Sequence, residues 1–170
     1  MGTRGAWGFR KDNIDKIAYN HYDSYPSGLG ETIKHFIVKH SIEELEKTFY
    51  RIILIDGNTP PNEEQIKQCS KFLDLGVSNK TKQDWYCLLR EAQGNPEAYV
   101  NDLVYMVDSA AFLKDSLFCE WAYIINLDTK RLEIYEGCQK RAQKNRYYNC
   151  KLQFEVDLDK VKTFKIGAIK

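Results

Sequence analysis

Apolar side chains alternate with period two at both ends of this chain and recur at helical spacing between them. No other feature constrains the fold as much, because a strand buries every second residue and a helix every third or fourth. Near the N-terminus Trp7 and Phe9 alternate with Gly8 and Arg10, and Ile17, Tyr19 and His21 alternate with Ala18, Asn20 and Tyr22. Between them lies Lys11-Asp12-Asn13-Ile14-Asp15, whose Asp and Asn tolerate left-handed backbone. The pattern predicts strands over 6–10 and 16–22, joined as a hairpin with one buried face. Glycines at 2, 5 and 8 are unusual in a strand and predict close approach of another backbone or a ligand.

The other end repeats the pattern. Residues 121–127 and 132–135 read as strands joined by Asp128-Thr129-Lys130, a second hairpin. A final strand over 152–158 places Leu152, Phe154, Val156 and Leu158 on one face, and the tail from Lys160 is expected to add a short strand.

Helical patterns fill the middle. One helix starts near 28–31 and carries Leu29, Ile33, Phe36, Ile37 and His40. Ser41 with Glu44 forms a capping box for a second, which is expected to hold Ile42, Leu45, Phe49, Ile52 and Ile53 and to end by Asp56-Gly57. Asn62 caps a third, with Ile66, Cys69, Phe72 and Leu73 along its stripe. A short helix over 84–92 follows, then one from Pro96 that carries Tyr99, Leu103, Met106 and Val107. The order predicts a single α+β domain over residues 1–170. Its largely antiparallel sheet is built from the N-terminal and C-terminal hairpins, with a central block of four or five helices packed on it.

The balance of 25 basic and 24 acidic residues gives a net charge of +1, so no global field favours nucleic acid or a membrane. The cysteine count is odd at five, with no Cys-x-x-Cys pair and no histidine at zinc spacing. Free thiols in a reducing cytoplasm, with no metal site and no cofactor, are the expectation. The apolar runs are too short to span a bilayer and no secretory leader is evident. Ala6 stands where a myristoylation signal needs Ser or Thr.

Chemistry-capable residues concentrate in Tyr19-Asn20-His21-Tyr22-Asp23-Ser24-Tyr25, at the end of the first hairpin. His21 is the natural general base, Asp23 its orienter, Ser24 (or Thr3) the nucleophile, and Arg4 the clamp for a carboxylate or phosphate. The alternative is structural: His21 and Asp23 tie down the loop while Asp23 or Ser24 caps its turn. Tyr19, Asn20, Tyr22 and Tyr25 are candidate binding residues. A second candidate is the basic run holding Lys140, Arg141, Lys144, Arg146, Tyr147 and Tyr148, where cations and rings suit single-stranded nucleic acid, or an acidic protein.

The opening MGTRGxxGFR, followed by YNHYDSYPSGLG, resembles a family of uncharacterised proteins scattered through phages, bacteria and fungi, and CEWAYIINLDTKRLEIYEG is similar to a second block of that family. The resemblance covers under a third of the chain. It implies that Gly2, Arg4, Gly5, Asn20, His21, Asp23, Ser24, Tyr25 and Gly28 are signature positions. The order of elements also resembles the N-terminal-nucleophile hydrolases, but removal of Met1 would expose Gly2, which has no nucleophile.

Three functions follow from these features. The first is a small cytoplasmic phage or mobile-element protein that binds and inhibits a host or defence factor, an anti-CRISPR-like inhibitor being one version. The second is a hydrolase of an amide or phosphoester using Arg4, His21, Asp23 and Ser24. The third is a nucleic-acid-binding module through the 140–151 loop.

Overall fold

A computed structural model describes residues 2–115, 117–147 and 149–170. In chain order its elements are strands β1 (Gly5–Lys11) and β2 (Ile14–Asn20), helices α1 (Glu31–Lys39) and α2 (Ile42–Arg51), and strand β3 (Ile53–Ile55). Helices α3 (Glu63–Cys69), α4 (Trp85–Leu88) and α5 (Glu97–Asn101) come next, then strands β4 (Tyr105–Val107), β5 (Trp121–Asn126), β6 (Arg131–Glu136) and β7 (Lys151–Asp157). This is the expected α+β fold. The two hairpins share one sheet of order β2-β1-β5-β6-β7. Every pairing in it is antiparallel except β1 with β5, which run parallel from Gly5 opposite Trp121 to Arg10 opposite Asn126.

That parallel seam changes the first hairpin. An interior strand of a sheet covered on both sides has no solvent face, and β1 is buried from Gly5 to Arg10. The expectation of one buried face is therefore corrected to two. Trp7 and Phe9 face the helices, where edge-to-face contacts join Trp7 to Phe36 and Tyr99, and Phe9 to Phe49. Ala6, Ile17, Ala122, Ile124 and Tyr135 face the other way, under Leu113, Cys119, Tyr147 and Cys150. The glycines of β1 permit this packing: a Cβ on Gly8 would sit 2.2 Å from the Lys16 carbonyl oxygen, and one on Gly5 would sit 2.3 Å from that of Trp121.

Both capping boxes form, Ser41 with Glu44 and Asn62 with Gln65. Helix α2 nevertheless stops at Arg51, before the Ile52 and Ile53 expected within it. Lys16, reaching across from β2, donates to the Phe49 and Ile52 carbonyls at 2.8 and 2.6 Å and closes the helix end. Ile53–Ile55 then pairs in parallel with Tyr105–Val107, so Met106 and Val107 also lie on a strand and not on the helix from Pro96. Short β-branched runs satisfy either pattern, and here the partner strand decides. The tail adds no strand. It folds into tight turns at Leu158–Thr163 and Ile166–Ala168 against α1, held by Lys34 donating to the Phe164 carbonyl and the Gly167 amide donating to Glu31.

One charge is locked inside the second face. Arg10 donates to Asp15 at 2.8 Å, to Glu133 at 3.2 Å and to the Tyr147 hydroxyl at 2.6 Å. Tyr135 donates to Glu133 at 2.6 Å, and Tyr147 to Asp15 at 2.7 Å. Removing the guanidinium would leave the Glu133 carboxylate buried with no cation, while Asp15 would keep Arg146. Arg10→Ala should therefore cost about 3–5 kcal/mol, read as a lower denaturation midpoint in urea. A loss below about 1 kcal/mol would show that water enters this network freely.

Candidate functional site

The parallel seam brings the starts of β1 and β5 to the same end of the sheet, and the antiparallel hairpin brings the end of β2 there too. The residues just beyond those strand ends line a groove of about 630 Å³: Gly2, Thr3, Arg4, His21, Tyr22, Leu117, Phe118 and Glu120. Its floor is backbone. The Glu120 amide donates to the Arg4 carbonyl at 2.9 Å, and the Arg4 amide donates to the Glu120 carboxylate at 3.3 Å. The Arg4 side chain is free to lie over the Phe118 ring, 5.7 Å from its centroid. On the other side Arg90 lies 5.0 Å over the Tyr22 ring. Neither guanidinium forms an ion pair among the described residues; Arg4 lines the groove itself, and Arg90 lines the neighbouring hollow that shares Tyr22.

His21 sits between them. Its Nδ1 is 2.7 Å from the Tyr19 hydroxyl, and its ring packs edge-on to Tyr22 and Tyr86. Burial, then Arg4, then Arg90 depress its pKa below the usual 6.5. Burial pushes the Tyr19 phenol upward. The phenol keeps its proton and the imidazole is neutral near pH 7, and the tautomer of His21 sets which of the two groups donates in their hydrogen bond.

The expected catalytic cluster does not assemble around this histidine. Ser24 is fully buried. Its hydroxyl accepts from Asn20 Nδ2 at 2.8 Å, its amide donates to the Thr3 carbonyl at 3.1 Å, and its carbonyl accepts from the Tyr123 hydroxyl at 2.9 Å. Gly5 is required beside it, because a Cβ there would meet the Ser24 Cβ at 2.6 Å. Asp23 is exposed and bonds Tyr25 at 2.9 Å, while its backbone, at φ 52°, turns the chain into the single π-helical turn Pro26–Gly30. Asp23 has no bond to His21, and no described base reaches the Thr3 or Ser24 hydroxyl. Asn20 is buried and structural, and it also donates to the Tyr22 carbonyl at 2.5 Å. Of the sequence-expected cluster, Arg4, His21 and Tyr22 meet at the groove. Asp23 and Tyr25 are exposed beside it, and Ser24 and Asn20 are walled in.

The basic loop divides as well. Lys140, Arg141 and Lys144 are exposed. Arg146 is held by Asp15 at 2.9 Å and by Asn13. Tyr147, 1% exposed, is consumed by the Arg10 network and offers no ring for a base to stack on. Tyr148 lies outside the described residues. Sequence reasoning missed Tyr86, Arg90, Leu117 and Phe118. The apolar pair Leu117-Phe118, standing outside any periodic pattern just before a strand, was the available signal.

Among the described residues no group of His, Cys, Asp and Glu could hold a metal ion, and no helix is long and apolar enough to cross a membrane. Comparison with protein-family models, curated proteins and solved structures finds no match.

The arginines give a test of the site's electrostatics. A folded-state pKa below the unfolded one means that the unfolded chain takes up the proton first. His21 therefore lowers stability as pH falls below about 6.5 and leaves it unchanged above. Arg4→Gln should raise the His21 midpoint toward its ordinary value without restoring it fully, since burial and Arg90 remain. Titration of the imidazole carbon protons by NMR reads this directly, and an unmoved midpoint would detach Arg4 from the histidine.

Proposed function

We propose that the chain is a binding protein that works by occupying a protein partner through the groove at the end of its sheet. The observation that carries this is the composition of the rim. Leu117 is 73%, Tyr22 50% and Phe118 49% exposed, and they surround the unpaired Arg4 guanidinium. Exposed aromatic and aliphatic anchors beside arginine are the residue types that dominate binding energy at protein interfaces. Two guanidiniums without carboxylate partners favour a partner segment that carries Asp or Glu next to an apolar residue. In the setting implied by the resemblance, the partner would be a host or defence factor and the result its inhibition.

The hydrolase reading loses support from the same geometry. A nucleophile needs a base within hydrogen-bond reach, and the Ser24 hydroxyl is spent on Asn20. The nucleic-acid reading keeps the exposed Lys140, Arg141, Lys144 and Lys151, but Arg146 is tied to Asp15 and Tyr147 is withdrawn as a stacking ring.

With the partner captured through a photoreactive residue at position 117, Arg4→Ala and Phe118→Ala should each weaken the purified complex at least about tenfold. Lys140→Ala should leave it unchanged. Isothermal titration distinguishes these outcomes. Wild-type affinity in the Arg4→Ala, Phe118→Ala double variant would sink the proposal. Amide or phosphoester turnover abolished by His21→Ala would place the chain among the enzymes instead.

A further inference from the structure

A second concavity lies behind the groove, between β2, α4, α5 and β4, with a volume of about 190 Å³. Its walls include Ala18, Tyr19, Trp85, Leu89, Tyr99 and Val107. With Tyr86, four aromatic side chains form its wall, and Ala18 leaves the space that a larger side chain would fill. A cavity of about 150 Å³ with apolar walls takes a benzene ring. This one has room for a ring and a small substituent.

Two of the cavity's polar side chains, Tyr99 and Gln93, carry unspent groups that fix the ligand's chemistry. Tyr99 is 4% exposed, and its hydroxyl bonds nothing among the described residues. No fully enclosed side-chain oxygen or nitrogen lacks a partner, so that hydroxyl must reach open space, and the space Tyr99 lines is this cavity. Burial pushes its pKa upward, so it stays a donor at neutral pH. Gln93 accepts from the His21 amide at 3.2 Å through its Oε1. Its amide nitrogen donates to no described residue. Both free groups are donors, and both ask for an acceptor oxygen.

Charge narrows the ligand further. Asp84 supplies the one charged side chain of the lining. Its carboxylate is already satisfied by the Tyr86 amide at 2.9 Å, Ser78 at 2.9 Å and Asn79 at 3.1 Å. It therefore needs no cation, and it repels an anion.

We propose that this cavity is a binding site for a free, neutral, single-ring aromatic molecule carrying one acceptor oxygen, with the ring against Tyr19 and Trp85 and the oxygen on Tyr99 and Gln93. The site is distinct from the groove but adjoins it, because the Tyr19 ring lines the cavity while its hydroxyl bonds His21. It does not depend on a protein partner.

The full chain can be titrated with benzamide, toluene and benzoate while the indole N–H signals are followed by NMR. Trp85 donates its Nε1 proton to the Thr59 carbonyl at 2.8 Å and provides the local signal. Benzamide should shift that signal saturably and leave Trp121 in place. Toluene should bind about tenfold more weakly, and benzoate not at all. Tyr99→Phe should weaken benzamide about tenfold and leave toluene unchanged, a ratio that a general loosening of the fold would not produce. Ala18→Leu should abolish binding of both while melting and circular dichroism remain those of the parent. The proposal fails if benzamide produces no saturable shift, if Tyr99→Phe weakens both ligands alike, or if only a longer probe such as N-acetylphenylalaninamide binds. That last result would mean the ring arrives on a polypeptide.

Discussion

The parallel pairing of β1 with β5 is the constraint from which the rest of the molecule follows. Parallel neighbours cannot be joined by a tight turn, so the chain between them must leave the sheet and return. Here that excursion holds all five α-helices and the small β3–β4 pair. Its helices pack onto one face and build the main core around Trp7, Phe9, Phe36 and Phe49. The same pairing moves β1 from an edge to the interior. A strand in that position needs cover on its second face, which the segments around Leu113 and Tyr147 supply.

Burying the second face takes Arg10 largely out of water. Its satisfaction by Asp15, Glu133 and Tyr147 explains the behaviour of the late basic loop. Tyr147 comes from that loop, and Arg146 next to it grips Asp15 and Asn13 at the first hairpin. A run that looks like a solvated cationic surface is partly a strap, pinned across the sheet by the charge it helps to neutralise. Its exposed remainder, Lys140, Arg141 and Lys144, comes before the pinned residues.

The frame was legible in the sequence wherever local chemistry agrees with the tertiary environment. Period-two alternation located both hairpins, and Ser41 and Asn62 marked two helix starts through side-chain caps that need no distant partner. The elements that sequence reasoning misplaced depend on partners remote in the chain. Ile53–Ile55 is a strand because Tyr105–Val107 lies beside it, and α2 ends where Lys16 reaches its carbonyls. The candidate site was half legible for the same reason. Arg4, His21 and Tyr22 sit near strand ends that periodicity had placed. Phe118 and Arg90 join them only through the seam and the helical excursion; Phe118 leaves a local trace in the apolar pair it forms with Leu117, and Arg90 leaves none.

The fate of Ser24 shows how a dense polar motif can mislead. Serine, histidine and aspartate within four positions suggest shared chemistry, but a chain leaving a strand through a sharp turn sends successive side chains in different directions. Asn20 and Ser24 turn inward and exchange hydrogen bonds beneath Gly5, and Asp23 turns outward to serve the corner. Buried polar groups of this kind must be fully paired, so once Ser24 is enclosed its hydroxyl has no capacity left for a substrate. His21, at the outer turn, keeps an open side and inherits the field of two arginines. The corner therefore separates structural from accessible residues within one motif: the inward ones fix the end of the sheet, and that fixed end holds Arg4, Tyr22 and Phe118 around the groove.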